Sequence, residues 1–291
     1  MSEFGRLERS ATQRVGLIGD PVAHSLSPAL QQPAFDALGI AARYELWQTS
    51  AEALPVRVAG LRAPDLLGAN VTVPHKQAVV RLLDDVSALA RRAGAVNTII
   101  NRDGHLVGEN TDISAFATAL REVCPEAEQR GVLLLGAGGA ARGVILALET
   151  LGVRQIAIVN RNRERARRLA SEIRSMPIDV VAGDDIGLLA ALEQARVLVN
   201  ATSLGWHPGE TPLAVDHLQR LPSDSLVIDL TYRDTDLLIA ARERGLRTLD
   251  GLSMLIHQGA RAFELWTGQP APLDVMRQSV QQAAAARERS M

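Results

Sequence analysis

From Val15 onward, short apolar runs alternate with stretches of helical spacing. "RVGLIGD", "ARYELWQT" and "LLGANVTVP" read as strands, the last bounded by Pro74. "SPALQQPAFDALGI" reads as a helix with Pro28 in its first turn. "KQAVVRLLDDVSALARRAG" has helical spacing throughout. "AVNTIINRDGHLVGEN" holds two strand segments around Asp103-Gly104, a hairpin turn signal, and "TDISAFATALREV" begins a helix. A second series opens at "GVLLLGAGGAARGVILALETLG", with further strands in "QIAIVNR", "ARVLVNATS", "SLVIDLTY" and "LRTLDG". The tail, "SMLIHQGARAFELWTG" and "LDVMRQSVQQAAAARERS", is helical. Such alternation predicts an α/β protein with parallel sheets covered by helices on both faces.

The polar, proline-containing "VCPEAEQRG" suits a connection, so a domain break is expected near residues 112–130. The expected organisation is a disordered lead-in over 1–14, an α/β domain over 15–117, a second over 118–250, and C-terminal helices over 251–291 that pack back on the first domain.

Composition narrows the class. At 291 residues with 47% hydrophobic content the chain has ample core, and with 3% aromatic content that core is mainly aliphatic. A net charge of −2 gives no support for a nucleic-acid or membrane surface. Cys124 is the only cysteine, which excludes an internal disulfide and any Cys-rich metal site. No metal is expected. The first residues, "MSEFGRLERSATQR", are charged and lack an apolar core, so they do not read as a signal peptide, and a cytoplasmic location is expected.

Gly136, Gly138 and Ala141 carry G-x-G-x-x-A spacing between an apolar strand and a helix, the context of a dinucleotide-binding turn. There the backbone N–H groups approach a pyrophosphate at a helix N-terminus. The next strand ends in Asn160, Arg161, Asn162, Arg163 and Arg165, with no acid to take a ribose 2′-hydroxyl. Guanidinium groups there favour a 2′-phosphate, hence NADP, with Arg161 and Arg165 preferred as contacts and Arg167 and Arg168 read as a solvated face.

The first half has no glycine cradle. It has polar clusters at strand ends instead: "HSLS", "NVT", "VNT" and "ENTD". Taken singly, Ser27, Thr111 or Asp112 reads equally well as a helix cap. Repeated at four strand ends, the clusters suit a small, hydroxyl-rich ligand. Lys76 stands out by counting: of 31 basic residues it is the sole lysine. Arginine does not release its proton at useful pH, whereas a lysine amine does so readily when desolvated. Lys76 is therefore a candidate general acid/base, with Asp112 as its acidic partner, against the plain reading of one surviving surface lysine.

"GDPVAHSLSPALQ", "GANVTVPHK", "AGAVNT", "GENTD", "GAGGAARG", "NRNRERA", "NATSLGW" and "DGLSMLIHQGARAFELWTG", in that order, resemble the shikimate dehydrogenases from Val15 to about Gly268. The resemblance implies an N-terminal substrate domain and an NADP-binding Rossmann domain separated by a cleft. It implies the reversible reduction of 3-dehydroshikimate to shikimate by NADPH, in the chorismate and aromatic amino-acid pathway. Lys76 falls on the family's catalytic lysine and Asp112 on its paired aspartate. Ser25 and Ser27 match the serines that bind the substrate carboxylate, and Asn70, Thr72, Asn97, Tyr232 and Gln258 match other pocket positions. Gly136, Ala137, Gly138, Gly139 and Ala140 match the pyrophosphate loop, and Asn160 to Arg165 the 2′-phosphate loop. Thr202, Leu230 and Gly251 match positions near the nicotinamide. The implied partner is a small molecule, with the chain a monomer or homodimer.

Departures from the family pattern are the shortened, proline-free "YRDTD" after "DLT", Ile113 and Ser253 where glycine is usual, and Asn162 where threonine is common. Alternatives are a quinate or aminoshikimate dehydrogenase and, in another class, a non-catalytic NADP-binding sensor.

Overall fold

A computed structural model describes residues 12–181 and 185–289. The first part of the chain runs β1 (Gln13–Gly19), α1 (Ser27–Ala37), β2 (Ala42–Gln48), α2 (Leu54–Gly60), β3 (Leu66–Val71), β4 (Asp85–Val86), α3 (Ala88–Ala93), β5 (Thr98–Arg102) and β6 (His105–Glu109). The remainder runs α4 (Thr111–Val123), β7 (Val132–Leu135), α5 (Gly139–Thr150), β8 (Ile156–Val159), α6 (Arg163–Glu172), β9 (Ile178–Val180), α7 (Asp185–Gln194), β10 (Val197–Asn200), β11 (Leu226–Asp229), α8 (Asp236–Glu243), β12 (Arg247–Leu249), α9 (Gly251–Thr267) and α10 (Leu273–Glu288).

The described residues form two compact units, one of residues 12–110 with 259–289 and the other drawn from residues 111–181 and 185–258. The first division therefore falls before α4, not at the expected 117/118. Helix α4 packs on α5, and its apolar face of Ala115, Phe116, Ala119 and Leu120 is buried. The second division falls inside α9, at Gln258/Gly259, rather than at 250/251.

The first unit holds a six-stranded sheet of order β2-β1-β3-β5-β6-β4. β1 runs parallel to β2 and β3, but β5 is antiparallel to both β3 and β6. This sheet is mixed: the expected hairpin supplies one antiparallel pair, and the β3–β5 pair departs from the parallel arrangement that the alternation predicts. The tight turn at Asp103-Gly104, where φ is 53° and 88°, the doubly positive pair of a type I′ hairpin, sets β5 and β6 antiparallel. Ile18, Val71, Val96, Ile99 and Leu106 form much of the core on one face. Residues 259–289 belong to this unit. Helix α10 packs on α1, Phe263 meets Phe35 at 5.0 Å between ring centroids, and Trp266 Nε1 donates to the Ile99 carbonyl at 2.9 Å.

The stretch "KQAVVRLLDDVSALARRAG" is not one helix. A 3-10 turn over Ala78–Leu82 gives way to β4 and then to α3. Asp84 accepts hydrogen bonds from the Arg62 guanidinium and from Leu106 N–H, and the next two residues pair with β6. Ser87 then sits extended and caps Ala90 N–H, which restarts the helix. Most of the expected lead-in, residues 1–11, lies outside the described residues. Gln13 and Arg14, also assigned to it, are strand. Gln13 N–H reaches the Ala41 carbonyl at 2.9 Å and Arg14 N–H that of Asp65 at 2.8 Å.

The second unit is a parallel sheet of order β12-β11-β10-β7-β8-β9. This is the doubly wound arrangement, whose order reverses between β7 and β10. β7, β10 and β11 are buried at every position, as strands covered on both faces must be.

Candidate active site

In the first unit the polar residues at the strand ends are held by hydrogen bonds to one another. Ser25 Oγ donates to Ser27 Oγ at 3.0 Å and accepts from Ser27 N–H at 3.1 Å. Ser27 is the first residue of α1, and its side chain lies beside the Tyr44 hydroxyl on β2. Tyr44 donates to Asn70 Oδ1 at 2.8 Å, crossing β1 to reach β3. Asn70 Nδ2 donates to the Asn97 carbonyl at 3.3 Å and to Thr98 Oγ1 at 3.2 Å, and Thr98 Oγ1 donates to Asn97 Oδ1 at 3.2 Å. Ser27, Asn70, Asn97 and Thr98 are all buried. Burying so many amides and hydroxyls is tolerated because each finds a partner.

Tyr44 is not among the expected site residues, although its hydroxyl lies beside Ser27 and donates to Asn70. The signal was a tyrosine on the inward side of an alternating strand, one of only two in the chain. Burial pushes its phenol well above the ordinary range, partly opposed by the hydrogen bond to Ser27.

Lys76 lies half-buried in the turn after β3. Four bonds to other segments fix that turn, one of them from Asp20 N–H to the Val73 carbonyl at 3.1 Å. Thr72 N–H donates to the Ile18 carbonyl at 2.8 Å, Val96 N–H to the Lys76 carbonyl at 2.8 Å, and the buried His75 ring lies 2.6 Å from the Thr49 carbonyl. The Val96 bond ties the lysine's backbone directly to the "VNT" segment. Thr72 is half-buried beside it.

In the second unit Asp112 is half-buried in the first turn of α4, between Thr111 and Ile113, both buried. Gln258 is half-buried on α9, its amide donating to the Leu255 carbonyl of its own helix at 2.9 Å.

At the reversal point of the parallel sheet, Gly136 follows β7 with φ of 112° and donates to the Val159 carbonyl at 2.9 Å. A Cβ there would lie 2.9 Å from the Ala201 carbonyl oxygen beyond β10, so only glycine fits. Ala137 and Gly138 complete the turn, and Gly139 and Ala140 open α5, both exposed. Ala141 is fully buried, as close helix–sheet packing demands. Arg165 spans this loop and the next: its Nε donates to the Ala137 carbonyl at 3.0 Å, and its N–H is capped by Asn162 Oδ1 at 3.0 Å. Asn160 Nδ2 donates to the Asn162 carbonyl at 2.7 Å, which holds the "NRN" turn, and Arg161 and Arg163 are exposed on it.

Beyond β10, Thr202 Oγ1 donates to Asn200 Oδ1 at 2.7 Å. Leu230 and Gly251 are brought together, since a Cβ on Gly251 would lie 2.2 Å from the Leu230 carbonyl oxygen. Tyr232 is half-buried and packs edge-on against Trp206, with ring centroids 5.1 Å apart. Arg233 donates to the Trp206 carbonyl, and Thr235 caps α8 and donates to Asp229 Oδ2 at 3.0 Å. The shortened "YRDTD" segment is therefore held by side chains of its own.

Among the described residues no group of three or more His, Cys, Asp or Glu could hold a metal ion, and no helix is long and apolar enough to cross a membrane.

The sheet order and the glycine turn at its reversal point define a Rossmann-type α/β protein, joined to a second α/β unit with a buried polar network. Comparison with known proteins is specific. Residues 17–99 match the shikimate dehydrogenase substrate binding domain, 118–244 the shikimate / quinate 5-dehydrogenase model, and 251–281 the shikimate 5'-dehydrogenase C-terminal domain. The NADP(+) shikimate dehydrogenase of Symbiobacterium thermophilum is 44% identical, over 95% of this chain and 96% of that protein. The crystal structure of the Thermus thermophilus enzyme with NADP(H) and shikimate superposes with a TM-score of 0.84 at 39% identity, covering 93% of this chain and 99% of that one. The quinate dehydrogenase of Corynebacterium glutamicum, solved with NAD, gives 0.84 at 35% identity, covering 93% and 99%. The chain belongs to the shikimate dehydrogenase family.

Proposed function

We propose that this protein is an NADP-dependent shikimate dehydrogenase that interconverts 3-dehydroshikimate and shikimate in the cytoplasm, as a step toward chorismate and the aromatic amino acids. The observation that carries the reading is the set of polar groups fixed at the strand ends, with Ser25 bonded to Ser27 and Tyr44 bonded through Asn70 to Asn97. It sets hydroxyl and amide groups in fixed orientations, which suits a ring bearing a carboxylate and several hydroxyls. Ser25 and Ser27 are assigned the carboxylate. Asn70, Thr72, Asn97, Tyr232 and Gln258 are assigned to the rest of the substrate.

The turn over Gly136–Ala140 fits a dinucleotide, because the tight approach of β7 and β10 leaves no room for a side chain at Gly136 and the loop's next residues open a helix. Asn160, Arg161, Asn162 and Arg165 are assigned the 2′-phosphate, and Thr202, Leu230 and Gly251 the nicotinamide end. The bound cofactor supplies the hydride. Lys76 donates the proton to the forming alcohol, and in the reverse direction removes it. Arginine would keep the charge and lose that capacity. Asp112 is assigned the supporting acidic role. General acid/base help of this kind is worth roughly 10²–10⁴-fold.

The test is turnover on shikimate and on quinate, each with NADP and with NAD, followed by reduced-cofactor absorbance. The highest kcat/KM is expected for shikimate with NADP. A higher value for quinate would reassign the substrate, and no turnover on either, despite NADP binding, would leave a non-catalytic binding protein.

A further inference from the structure

The loop that carries the serine pair is held from the far end of the chain. Arg287, in the last turn of α10, donates through Nη1 to the His24 carbonyl at 2.6 Å and through Nη2 to the Ser25 carbonyl at 3.1 Å. The two peptide groups on either side of Ser25 are thus fixed by the two prongs of one guanidinium. The loop's other restraints are the burial of Val22 and Leu26 and two backbone bonds. Ser25 N–H bonds the Val22 carbonyl at 2.9 Å, and Asp20 N–H bonds that of Val73 at 3.1 Å. Leu26, at the cap position of α1, offers no side-chain cap. Helix α10 is itself anchored, packing on α1 with Met276 and Val280 buried. Arg287 is therefore a fixed fork rather than a loose surface side chain, and it is half-buried. It lies beyond the residues that match the family's domains, the last of which ends at 281.

We propose that Arg287 is a positioning residue for substrate binding: its fork orients the His24–Ser25 backbone, and through it the hydroxyls of Ser25 and Ser27. The inference rests on the assignment of those serines to the substrate carboxylate. Two carbonyls fixed by one planar fork hold Ser25 Cβ, and so aim Oγ toward Ser27 N–H and Ser27 Oγ. Lysine brings the same charge but not the fork, which separates geometry from electrostatics.

The experiment compares the full chain with its Arg287→Gln and Arg287→Lys variants. Both are expected to raise KM for shikimate by about three- to tenfold, with kcat and KM for NADP within about twofold of the parent. Backbone hydrogen exchange over residues 24–27 is expected to quicken in both, while the buried face of α10 stays protected. An unchanged KM in Arg287→Gln, or full restoration by Arg287→Lys, would overturn the fork. A parallel loss of kcat and of both affinities would also overturn it, since that reports failed docking of α10. If the parent itself does not turn over shikimate, the functional assignment fails. The exchange data then still decide whether the fork holds the loop, and unaltered exchange at 24–27 would rule it out.

Discussion

Replacing Tyr44 by phenylalanine removes one hydroxyl from the middle of the buried network. Asn70 Oδ1, in a side chain only 4% exposed, loses the donor that reaches it at 2.8 Å. Leaving one buried polar atom short of a partner costs about 1–3 kcal/mol. For a unit of this size each kcal/mol lowers Tm by about 2–4 °C. The pH dependence is the sharper readout. Burial holds the folded Tyr44 phenol above its ordinary value of 10.0. Below that value both states keep the proton, and the contribution to stability is complete. Above it the unfolded chain releases the proton while the folded chain retains it. Stability therefore falls as pH rises, by about 1.36 kcal/mol per pH unit once the unfolded phenol is fully ionised, and is lost by the pH at which the folded phenol also ionises. Urea unfolding at a series of pH values from neutral to strongly alkaline, on parent and Tyr44→Phe, isolates this effect. The other groups cancel in the difference, including the only other tyrosine, Tyr232. The variant should be the less stable at neutral pH, with the gap closing as pH passes 10. A constant gap across the series would refute a buried, protonated Tyr44, and no gap at any pH would refute its bond to Asn70.

Arg165→Gln should cut kcat/KM with NADP by about tenfold or more while changing that with NAD by less than about twofold, because a charge-assisted bond to phosphate is worth about 1.5–3 kcal/mol. Equal losses with both cofactors would assign Arg165 to loop structure alone, through its bond to the Ala137 carbonyl. The Arg62 guanidinium holds the Asp84 carboxyl at about 2, so the stabilisation it brings is present above the carboxyl's ordinary 3.8 and is lost as pH falls through about 2. Arg62→Gln should weaken that acid-side loss, measurable as a shallower fall of thermal midpoint between those two pH values.

The Rossmann half was largely legible in the residue pattern, because strands buried on both faces read as unbroken apolar runs. "VLLL", "VLVN" and "LVID" are strands and the glycine turn follows the first of them. The Asp103-Gly104 hairpin was legible for a local reason, since two consecutive positive φ angles select such a pair. The mixed pairing of β3 with β5 was less so, as direction depends on a partner distant in the chain. The segment after Lys76 misled because its apolar spacing is helical, while Asp84's bonds to Arg62 and Leu106, which turn it into β4, are tertiary. Helix α2 gave little signal, with only Leu54 and Val58 buried in seven residues, and the three-residue β9 is only partly buried. Lys76 stands out by count, and Asn70 and Asn97 by cluster. Tyr44 carries no such signal, because a strand tyrosine ordinarily serves packing and its bond to Asn70 depends on a hydroxyl that reaches two strands away.

The central claim is that Lys76 carries the proton, and Lys76→Arg tests it most directly. The variant keeps the positive charge after β3 and removes the amine that exchanges a proton. Steady-state oxidation of shikimate with NADP should show kcat lowered by roughly 10²–10⁴-fold, with the folded structure and NADP affinity retained. A Lys76→Arg protein that turns over within a few-fold of the parent would contradict the account.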